Sequence, residues 1–410
     1  MSATPVLLPP RPASGTVLHL PRRAADGTLE RVRHAVHVPA DWPAPAGPAS
    51  SRVAFAAAHV VPRVEAENVP GAPADLDWEA TLAVRHRLWG LGLGVAEAMD
   101  TAQRGMGLDY AATTELVHRS AADARAVGGR IAAGAGTDQL GPVPGSGTAG
   151  LDLETVAAAY EEQVAMVEGT GAQVILMASR HLAAAARGAD DYLTVYERLL
   201  RQVAAPVVLH WLGEVFDPAL AGYWGSRDVA TATDTFVELV RRNASAVDGV
   251  KVSLLDADHE KDLRRRLPAG VRLYTGDDFN YPELVQGDGT HHSDALLGIF
   301  AGIAPAAAAA LARLDTGDVE GFRAVLDPTV PLARHVFGAP TPCYKTGIAF
   351  LNYLDGRQPG YAMVGGLHAA RSAVHQAETF RLADEAGVLA DPELAAARVR
   401  GYLALHGFEA

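Results

Sequence analysis

The sequence predicts an α/β protein built on a (β/α)8 barrel, with a β-ribbon before the barrel and a helical extension after it. From Arg52 onward, short apolar segments alternate with longer segments of helical spacing, a pattern typical of parallel strands joined by crossover helices. The alternation gives eight strand candidates, the number that closes such a barrel. The chain has 410 residues, and a barrel of this kind takes about 250, so segments at both ends remain outside it.

The N-terminal region, residues 1–51, predicts a small separate element. Gly15–Leu20 and Leu29–Val38 flank Ala25-Asp26-Gly27, and an Asp-Gly pair favours the tight turn of a β-hairpin. A Pro-rich connector, Pro39–Pro48, follows the second segment. We therefore predict a β-ribbon that packs on the barrel or on a second subunit.

The barrel is predicted over residues 52–305. Its strands are expected at Val53–Val60, Gly94–Met99, Gly129–Gly136, Ala172–Ala178, Pro206–Trp211, Gly249–Ser253, Val271–Thr275 and Leu296–Ile303. Helical spacing between them predicts helices at Trp78–Gly90, Tyr110–Val127, Leu153–Gly169, Tyr192–Val203, Asp234–Asn243 and His259–Leu267. Residues 306–410 are predicted as the helical extension, with helices at Val319–Leu326, Tyr344–Leu354, His368–Ala386 and Asp391–Leu405.

Composition and charge argue against several classes of function. The net charge is −13, without blocks of Lys and Arg, so nucleic acid and membrane surfaces are not expected partners. A single cysteine, Cys343, leaves no internal disulfide or CxxC zinc site and favours a cytoplasmic protein. The N-terminus does not resemble a secretory signal. The apolar stretch 295–314 is interrupted by Pro305 and carries Arg313, so no membrane span is predicted.

Lys251 is the first candidate for chemistry, because it lies alone inside the apolar segment Gly249–Ser253. A lysine near the end of a buried parallel strand loses hydration, which lowers the pKa of its ammonium group and makes the free amine available as a nucleophile. That is the environment that a Schiff-base enzyme requires. The alternative is a strand-end lysine that extends its charged group to water.

Polar side chains also follow the other predicted strands, and active sites of such barrels lie at the C-terminal ends of the strands. These residues are His59, Glu97, Asp100, Thr101, Thr137, Asp138, Ser179, Arg180, His181, His210, Ser253, Asp277 and Asp278, with Thr290–Asp294 in the loop before the eighth strand. We expect them to converge on one face. Each has a structural alternative: His59 as a packed histidine, Glu97 and Asp100 as ion-paired or capping carboxylates, and the pair Asp277-Asp278 as helix caps.

A family resemblance appears in the second half of the barrel. The segments PVVLHW (206–211), DGVKVS (248–253), YTGDD (274–278) and LLGIFAGIAP (296–305) resemble the fifth to eighth strands of the dihydrodipicolinate synthase and N-acetylneuraminate lyase family. TPCYK (341–345) resembles the start of that family's C-terminal helices. The resemblance covers Arg52–Leu354 and is that of a divergent branch. It implies a class I aldolase with a TIM barrel that assembles as a homodimer or homotetramer.

The resemblance implies a role for each matching residue. Lys251 would be the Schiff-base lysine, and His210 would transfer protons where the family has a tyrosine. Met99–Arg104 stands where the family binds a keto-acid carboxylate with a Gly-Thr-Thr-Gly-Glu turn, and only Thr101 is kept. Asp100 would repel a substrate carboxylate, and Arg104 would offset that repulsion. The predicted substrate-binding residues are His59, Glu97, Asp100, Thr101, Ser253, Gly276, Asp277 and Asp278.

Three hypotheses follow for function. The first is a Schiff-base lyase or aldolase that makes or breaks a C–C bond beside the carbonyl of a keto-acid or sugar-derived substrate, without a cofactor. The second is an isomerase or aldolase in which Glu97, Asp100, Asp277 and a histidine hold a divalent metal ion. The third is a ligand-binding barrel without turnover. Chelator sensitivity separates the second from the first, and imine trapping separates the first from the third.

Overall fold

Two antiparallel strands form a ribbon near the N-terminus of the computed structural model, which describes residues 11–142 and 151–410. They are β1 (Ala13–Arg23) and β2 (Leu29–His37). The turn between them contains the Asp26-Gly27 pair, and Gly27 has a φ of +85°, a value that favours glycine. The β-ribbon prediction is therefore confirmed, although the first ten residues of the predicted region 1–51 lie outside the described residues.

A closed barrel of eight parallel strands follows the ribbon. The strands are β3 (Ala54–Ala57), β4 (Gly94–Glu97), β5 (Ile131–Ala135), β6 (Gln173–Leu176), β7 (Val207–Leu212), β8 (Val247–Ser253), β9 (Arg272–Thr275) and β10 (Asp294–Leu297). Each strand pairs with the next along the chain, and β10 closes the barrel against β3. The predicted fold class is confirmed.

Helices connect the strands and form the C-terminal extension. Those between strands are α1 (Trp78–Gly90), α2 (Tyr110–Val127), α3 (Leu153–Thr170), α4 (Arg180–Ala185), α5 (Ala189–Leu200), α6 (Val229–Arg242), α7 (Ala257–Arg266) and α8 (Tyr281–Gln286). After the last strand come α9 (Ile299–Gly302), α10 (Ala304–Asp315), α11 (Val319–Leu326), α12 (Val330–Val336), α13 (Lys345–Leu354), α14 (Ala373–Ala386) and α15 (Pro392–Leu405). Across the described part of the chain, none of the helices has the length and apolar character needed to cross a bilayer.

Capping residues explain why several helix boundaries are readable from the sequence. The Asp77 carboxylate accepts a hydrogen bond from the backbone N–H of Ala80 and so caps α1. Asp109 caps α2 in the same way, and Gly128 ends that helix in the left-handed conformation. Local signals therefore set these boundaries before any packing is considered.

The predicted bounds of the last barrel strand were wrong. Leu296–Ile303 was predicted as one strand, whereas β10 begins at Asp294 and the chain becomes helical (α9) after Gly298. The residues of both elements are almost fully buried, so the apolar run does not mark the boundary between strand and helix.

The loop Thr290–Asp294 was also placed wrongly, because it lies at the N-terminal end of the barrel. The Asp294 carboxylate accepts a hydrogen bond from the backbone N–H of Val53 at 2.7 Å, just before β3, and pairs with Arg272 of β9 at 2.8 Å. Residues that precede a strand cannot join a site formed where the strands end. Asp294 therefore fixes the opposite end of the barrel.

The barrel interior is filled by side chains that point inward from the strands. They are Phe55, Ala57, Ala96, Met99, Ala132, Ile175, Met177, Val208, Tyr274 and Leu296. This layer closes the barrel below the strand ends, as is usual for eight-stranded barrels. Only residues at and beyond the C-terminal ends of the strands remain available to form a cavity.

The ribbon packs on the C-terminal extension of the same chain. Both of its strands contact α14 and α15, and Leu18, Leu20 and Val36 are buried there. The Thr16 hydroxyl donates a hydrogen bond to Glu393 at 2.6 Å, at the start of α15. The two ends of the chain thus form one packed unit beside the barrel.

Candidate active site

Lys251 lies near the C-terminal end of β8 with its side chain almost fully buried at 8% exposure. It lines a narrow cavity of about 20 Å³ together with Asp100, Thr101, Ser253, Asp278 and Tyr344. Burial lowers the pKa of Lys251 below its ordinary value, although Asp100 and Asp278 both oppose that shift. The amine is therefore easier to deprotonate than that of an exposed lysine.

The two carboxylates near Lys251 come from different strand ends. Asp100 begins a short turn after β4, and Ala98 just before it has a φ of +51°, a conformation that costs a non-glycine residue about 1 kcal/mol. Asp278 follows β9, is buried, and accepts a hydrogen bond from the backbone N–H of Ile299 at 2.9 Å. Burial raises the pKa of Asp278 to about 7, and Lys251 acts in the opposite direction. Asp278 can thus hold or release a proton near neutral pH.

His210 is the strand neighbour of Lys251, since the two residues are paired in register between β7 and β8. Paired residues of parallel strands point to the same face, so both side chains enter the barrel mouth. The ring Nε2 of His210 lies 3.3 Å from the Ser253 hydroxyl, and its buried Nδ1 has no partner in the described residues. Burial and the charge of Lys251 hold the pKa of His210 well below its usual range, which keeps the imidazole neutral.

Tyr344 covers the Lys251 cavity and comes from the C-terminal extension. Its hydroxyl lies 2.7 Å from the Thr101 hydroxyl, and its ring stacks on Phe337 at a centroid distance of 4.3 Å. Gly298 makes room for these rings, because a Cβ at this position would lie 2.9 Å from the Phe337 ring. From the sequence, TPCYK (341–345) was assigned to the start of the C-terminal helices and given no role in the site. No sequence pattern links this segment to Lys251.

A larger cavity of about 450 Å³ adjoins the Lys251 cavity, since Asp100 and Leu212 line both. His210 is at its base, and Thr137, Ser179 and His181 form part of its wall. The Thr137 hydroxyl lies 2.6 Å from the Ser179 hydroxyl and 2.9 Å from the Nδ1 of His181. These predicted strand-end residues are brought together, and they give the cavity several hydroxyl and imidazole groups.

Both arginines of the larger cavity are already paired with carboxylates. Arg104 forms two hydrogen bonds with Asp138, at 3.0 and 2.5 Å, and therefore does not offset Asp100 as the sequence suggested. Arg180 pairs with Asp217. A bound substrate would meet a polar wall in which the positive charges are neutralised.

Four predicted substrate-binding residues line neither cavity: His59, Glu97, Gly276 and Asp277. Glu97 is the last residue of β4, and both of its oxygens accept hydrogen bonds at 2.8 Å from Arg85 of α1, with both side chains fully buried. His59 is buried as well, its Nε2 lies 3.0 Å from the side-chain oxygen of Gln358, and burial lowers its pKa to about 4. Glu97 is therefore an ion-paired carboxylate and His59 is a packed histidine, which are the structural alternatives given for these two residues.

The adjacent Asp277 and Asp278 have different surroundings. The Asp277 carboxylate accepts hydrogen bonds from the backbone N–H groups of Phe279 and Asn280, at 2.8 and 3.0 Å, in the turn before α8. It therefore has the turn-capping role, whereas Asp278 faces Lys251. The metal hypothesis requires Glu97, Asp100, Asp277 and a histidine to bind one ion. Because Glu97 is paired with Arg85, these four groups do not form one ligand set.

Gly276, a predicted substrate-binding residue, lies against the Lys251 side chain. A Cβ built on Gly276 would lie 2.9 Å from Cε of Lys251 and 2.8 Å from the Val252 carbonyl, and it would overlap the Ser253 hydroxyl. The missing side chain therefore leaves the space in which the Lys251 side chain runs.

We expect Gly276→Ala to displace Lys251 and Ser253. Overpacking of this kind costs about 1–3 kcal/mol of stability. Equilibrium denaturation measures the unfolding free energy. Gly169→Ala, at a helix position where a Cβ meets nothing within 4 Å, is the matched control. An unfolding free energy of Gly276→Ala equal to that of the wild type would contradict the close contact between Gly276 and Lys251.

Glu260 of α7 is a buried carboxyl behind β9. It accepts hydrogen bonds from the hydroxyls of Ser293 and Thr275, at 2.7 and 3.0 Å. Burial raises the pKa of Glu260 to about 8. The folded chain therefore binds this proton more tightly than the unfolded chain does, and the stability that it contributes is full below the ordinary pKa of 4.5 and is lost as the pH rises through about 8.

We expect Glu260→Gln to reduce this loss of stability, because an amide cannot ionise. The variant should be more stable than the wild type by a few kcal/mol at pH 9 and close to it at pH 5. Chemical denaturation at the two pH values measures the difference. Glu283→Gln, at a half-exposed carboxylate, is the control, and an equal gain at both pH values would contradict the ionisation argument.

The fold is similar to that of several solved dihydrodipicolinate synthases. One is a putative dihydrodipicolinate synthetase from Pseudomonas aeruginosa, with 15% identity and a TM-score of 0.60 over 82% of this chain and 99% of the other. The enzyme from Aquifex aeolicus shares 11% identity with a TM-score of 0.61, over 82% and 99%. The chloride-inhibited enzyme from Acinetobacter baumannii, solved with pyruvate, shares 14% with a TM-score of 0.59, over 83% and 100%. The fold implied by the sequence resemblance is thus confirmed.

A comparison with curated proteins gives no match to this chain. One family model matches residues 18–408, a range that includes most of the ribbon, the whole barrel and the C-terminal helices through α15. The two extensions are therefore part of the family pattern rather than additions to this chain. The chain belongs to the family described as "Protein of unknown function (DUF993)".

Proposed function

We propose that this protein is a class I lyase or aldolase that forms an imine between Lys251 and a substrate carbonyl. The observation that carries the proposal is the buried amine of Lys251 at a barrel strand end, with its pKa lowered by burial and with an adjoining cavity large enough for a small substrate. The similarity in fold to dihydrodipicolinate synthases is consistent with it.

The reaction would begin with attack of the neutral Lys251 amine on the carbonyl carbon. The carbinolamine that forms loses water to give an iminium ion. When the Cα–Cβ bond breaks, the iminium ion accepts its electron pair and becomes an enamine, which is then protonated at Cα. When the bond forms, the iminium ion first loses a proton from Cα, and the resulting enamine attacks the second carbonyl. Two groups are suited to proton transfer here. His210 is neutral beside Lys251, and Asp278 has a pKa raised to about 7. Tyr344 and Thr101 would orient the carbonyl end of the substrate.

The charges in the cavities favour a substrate that is uncharged beside its carbonyl. Asp100 and Asp278 both lie near Lys251, and a carboxylate next to the carbonyl would be repelled by Asp100. Arg104 and Arg180 are paired with other carboxylates. The hydroxyl and imidazole groups of Thr137, Ser179 and His181 suit the hydroxyls of a sugar-derived ketone. We therefore favour the sugar-derived class over 2-keto acids.

Borohydride trapping with intact-mass measurement and peptide mapping tests the proposal. The panel contains pyruvate, other 2-keto acids and keto sugars, and the expected result is a stable adduct on Lys251 with a keto sugar. The sequence has three lysines, Lys251, Lys261 and Lys345, so mapping is unambiguous. An adduct with pyruvate would keep the imine and change the substrate class. Absence of any adduct, with activity lost to a chelator and restored by a divalent ion, would overturn the proposal in favour of metal catalysis.

A homo-oligomer and a cytoplasmic location remain predictions from the sequence. Sedimentation velocity of the purified chain tests the first, and a dimer or tetramer is the expected result.

A further inference from the structure

Two histidines of the ribbon and one aspartate of the C-terminal extension converge outside the two cavities of the barrel. The Oδ2 of Asp384 lies 2.8 Å from the Nε2 of His34 and 2.7 Å from the Nδ1 of His37. The three ligand atoms lie within 4.8 Å of one another. His34 and His37 belong to β2, whereas Asp384 belongs to α14 almost 350 residues later, so the cluster exists only because the ribbon packs on that helix.

We propose that His34, His37 and Asp384 bind one divalent transition-metal ion, which clamps the ribbon to α14. Two imidazole nitrogens and a carboxylate oxygen form the donor set that Zn²⁺ takes in proteins, with metal–ligand distances of about 2.0–2.2 Å. Ligands at those distances are roughly 3.4 Å apart in a tetrahedral site. The pairs observed at 2.7 and 2.8 Å need to open by roughly 0.6–0.7 Å to admit the ion.

An irregularity in the ribbon lies beside the site. The pairing of β1 with β2 shifts register between Ala13 and Val17, which oppose His37 and Ala35, so the additional residues are in β1. Residues three apart on a regular strand point to opposite faces. His37 is the last residue of β2, and both imidazoles nevertheless lie within hydrogen-bond distance of the same Asp384 oxygen.

The burial of the Asp384 and His37 side chains and the position of the nearby Arg11 are consistent with a metal site that is open to solvent on one side. The Asp384 side chain is fully buried, and its carboxylate also accepts hydrogen bonds from the backbone N–H of His37 at 3.2 and 3.3 Å. The His37 side chain keeps 31% exposure, which leaves a route for the ion and for a water ligand in the fourth position. Arg11 is the nearby cation, and it donates to the backbone carbonyls of Val38 and Asp384 rather than to the carboxylate.

The test measures Zn²⁺ binding by full-length protein that has been stripped with a chelator and dialysed. Competition with a chromophoric chelator should give one equivalent of Zn²⁺ per chain, and Co²⁺ should give the visible absorption of a four-coordinate site. His37→Ala and His34→Gln should each weaken binding roughly 100-fold or more, since even groups behind a ligand contribute 10–100-fold. Zn²⁺ should also raise the Tm of the wild type by several degrees.

His86→Ala is the matched control, because His86 pairs with Asp123 at 2.8 Å on the surface without a second imidazole. It should keep the bound equivalent and the Tm shift. His37 is partly exposed, so His37→Ala should fold, and circular dichroism checks this. Absence of a bound equivalent in the wild type, or an equivalent kept by both His37→Ala and His34→Gln, would overturn the site. The test is independent of the activity assigned to Lys251.

Discussion

Lys251→Met is expected to abolish imine trapping and to lower turnover by about six orders of magnitude. Methionine fills the same channel beside Gly276 without an amine, so the carbonyl cannot form a covalent intermediate. Removal of a covalent nucleophile costs roughly 10⁶-fold in kcat, and the binding and electrostatic stabilisation that remain keep the rate about 10³–10⁴-fold above that of the uncatalysed reaction. Intact mass after borohydride treatment measures the adduct, and steady-state kinetics measures turnover.

Lys345→Met is the matched control for this experiment. Lys345 is the other buried lysine, at 2% exposure; its ammonium group donates to the Pro342 carbonyl at 3.0 Å and lies over the Tyr344 ring. Burial lowers the pKa of Lys345 too, so desolvation alone does not distinguish the two amines. Of these two lysines, only Lys251 lines the small cavity that adjoins the larger one, and the adduct should therefore persist in Lys345→Met. An adduct that persists in Lys251→Met and disappears in Lys345→Met would move the imine to Lys345.

Glu97→Gln is expected to destabilise the fold by about 3–5 kcal/mol, because it leaves the buried Arg85 guanidinium without its counter-charge. Arg85 also donates to the carbonyl groups of His59 and Thr81. The pair therefore joins α1 to the ends of two neighbouring strands, and its loss should be felt across that side of the barrel. Equilibrium denaturation measures the effect.

Glu115→Gln provides the comparison, since Glu115 pairs with Arg119 at 2.6 Å on the exposed face of α2. Exposed pairs of this kind contribute about 0.3–0.5 kcal/mol. The two variants also separate the structural role of Glu97 from its predicted substrate role. A Glu97→Gln protein with normal stability and a raised KM would return Glu97 to the substrate site.

The sequence carried enough local information to predict the architecture. Alternation of apolar strands with helical segments, and capping residues such as Asp77 and Asp109, made most barrel elements readable. The last strand was shifted because β10 and α9 are buried on all sides and share one apolar run. The loop before it, Thr290–Asp294, was assigned to the wrong end because its polar residues were grouped with those that follow strands, although a segment that precedes a parallel strand lies at the opposite end of the barrel.

The candidate site was only partly readable. Lys251, His210, Asp100, Thr101, Ser253 and Asp278 are assembled at one mouth, as the rule for strand ends predicts. Glu97, His59 and Asp277 also follow strands, but Arg85, Gln358 and the backbone of the next turn occupy them. The position of a residue at a strand end determines where its Cα lies. Which group its side chain contacts depends on the helices and loops that pack beside it.

The sequence by itself determined the barrel, the ribbon, the helical extension and the isolated lysine in a buried strand, because these depend on periodicity and on local hydrogen bonding. Tertiary structure alone decided which carboxylate faces Lys251, that Tyr344 of the extension covers it, and that Asp384 meets His34 and His37. These contacts join residues up to 350 positions apart. No local sequence pattern encodes contacts between residues so far apart in the chain, because these contacts form only when the whole chain packs.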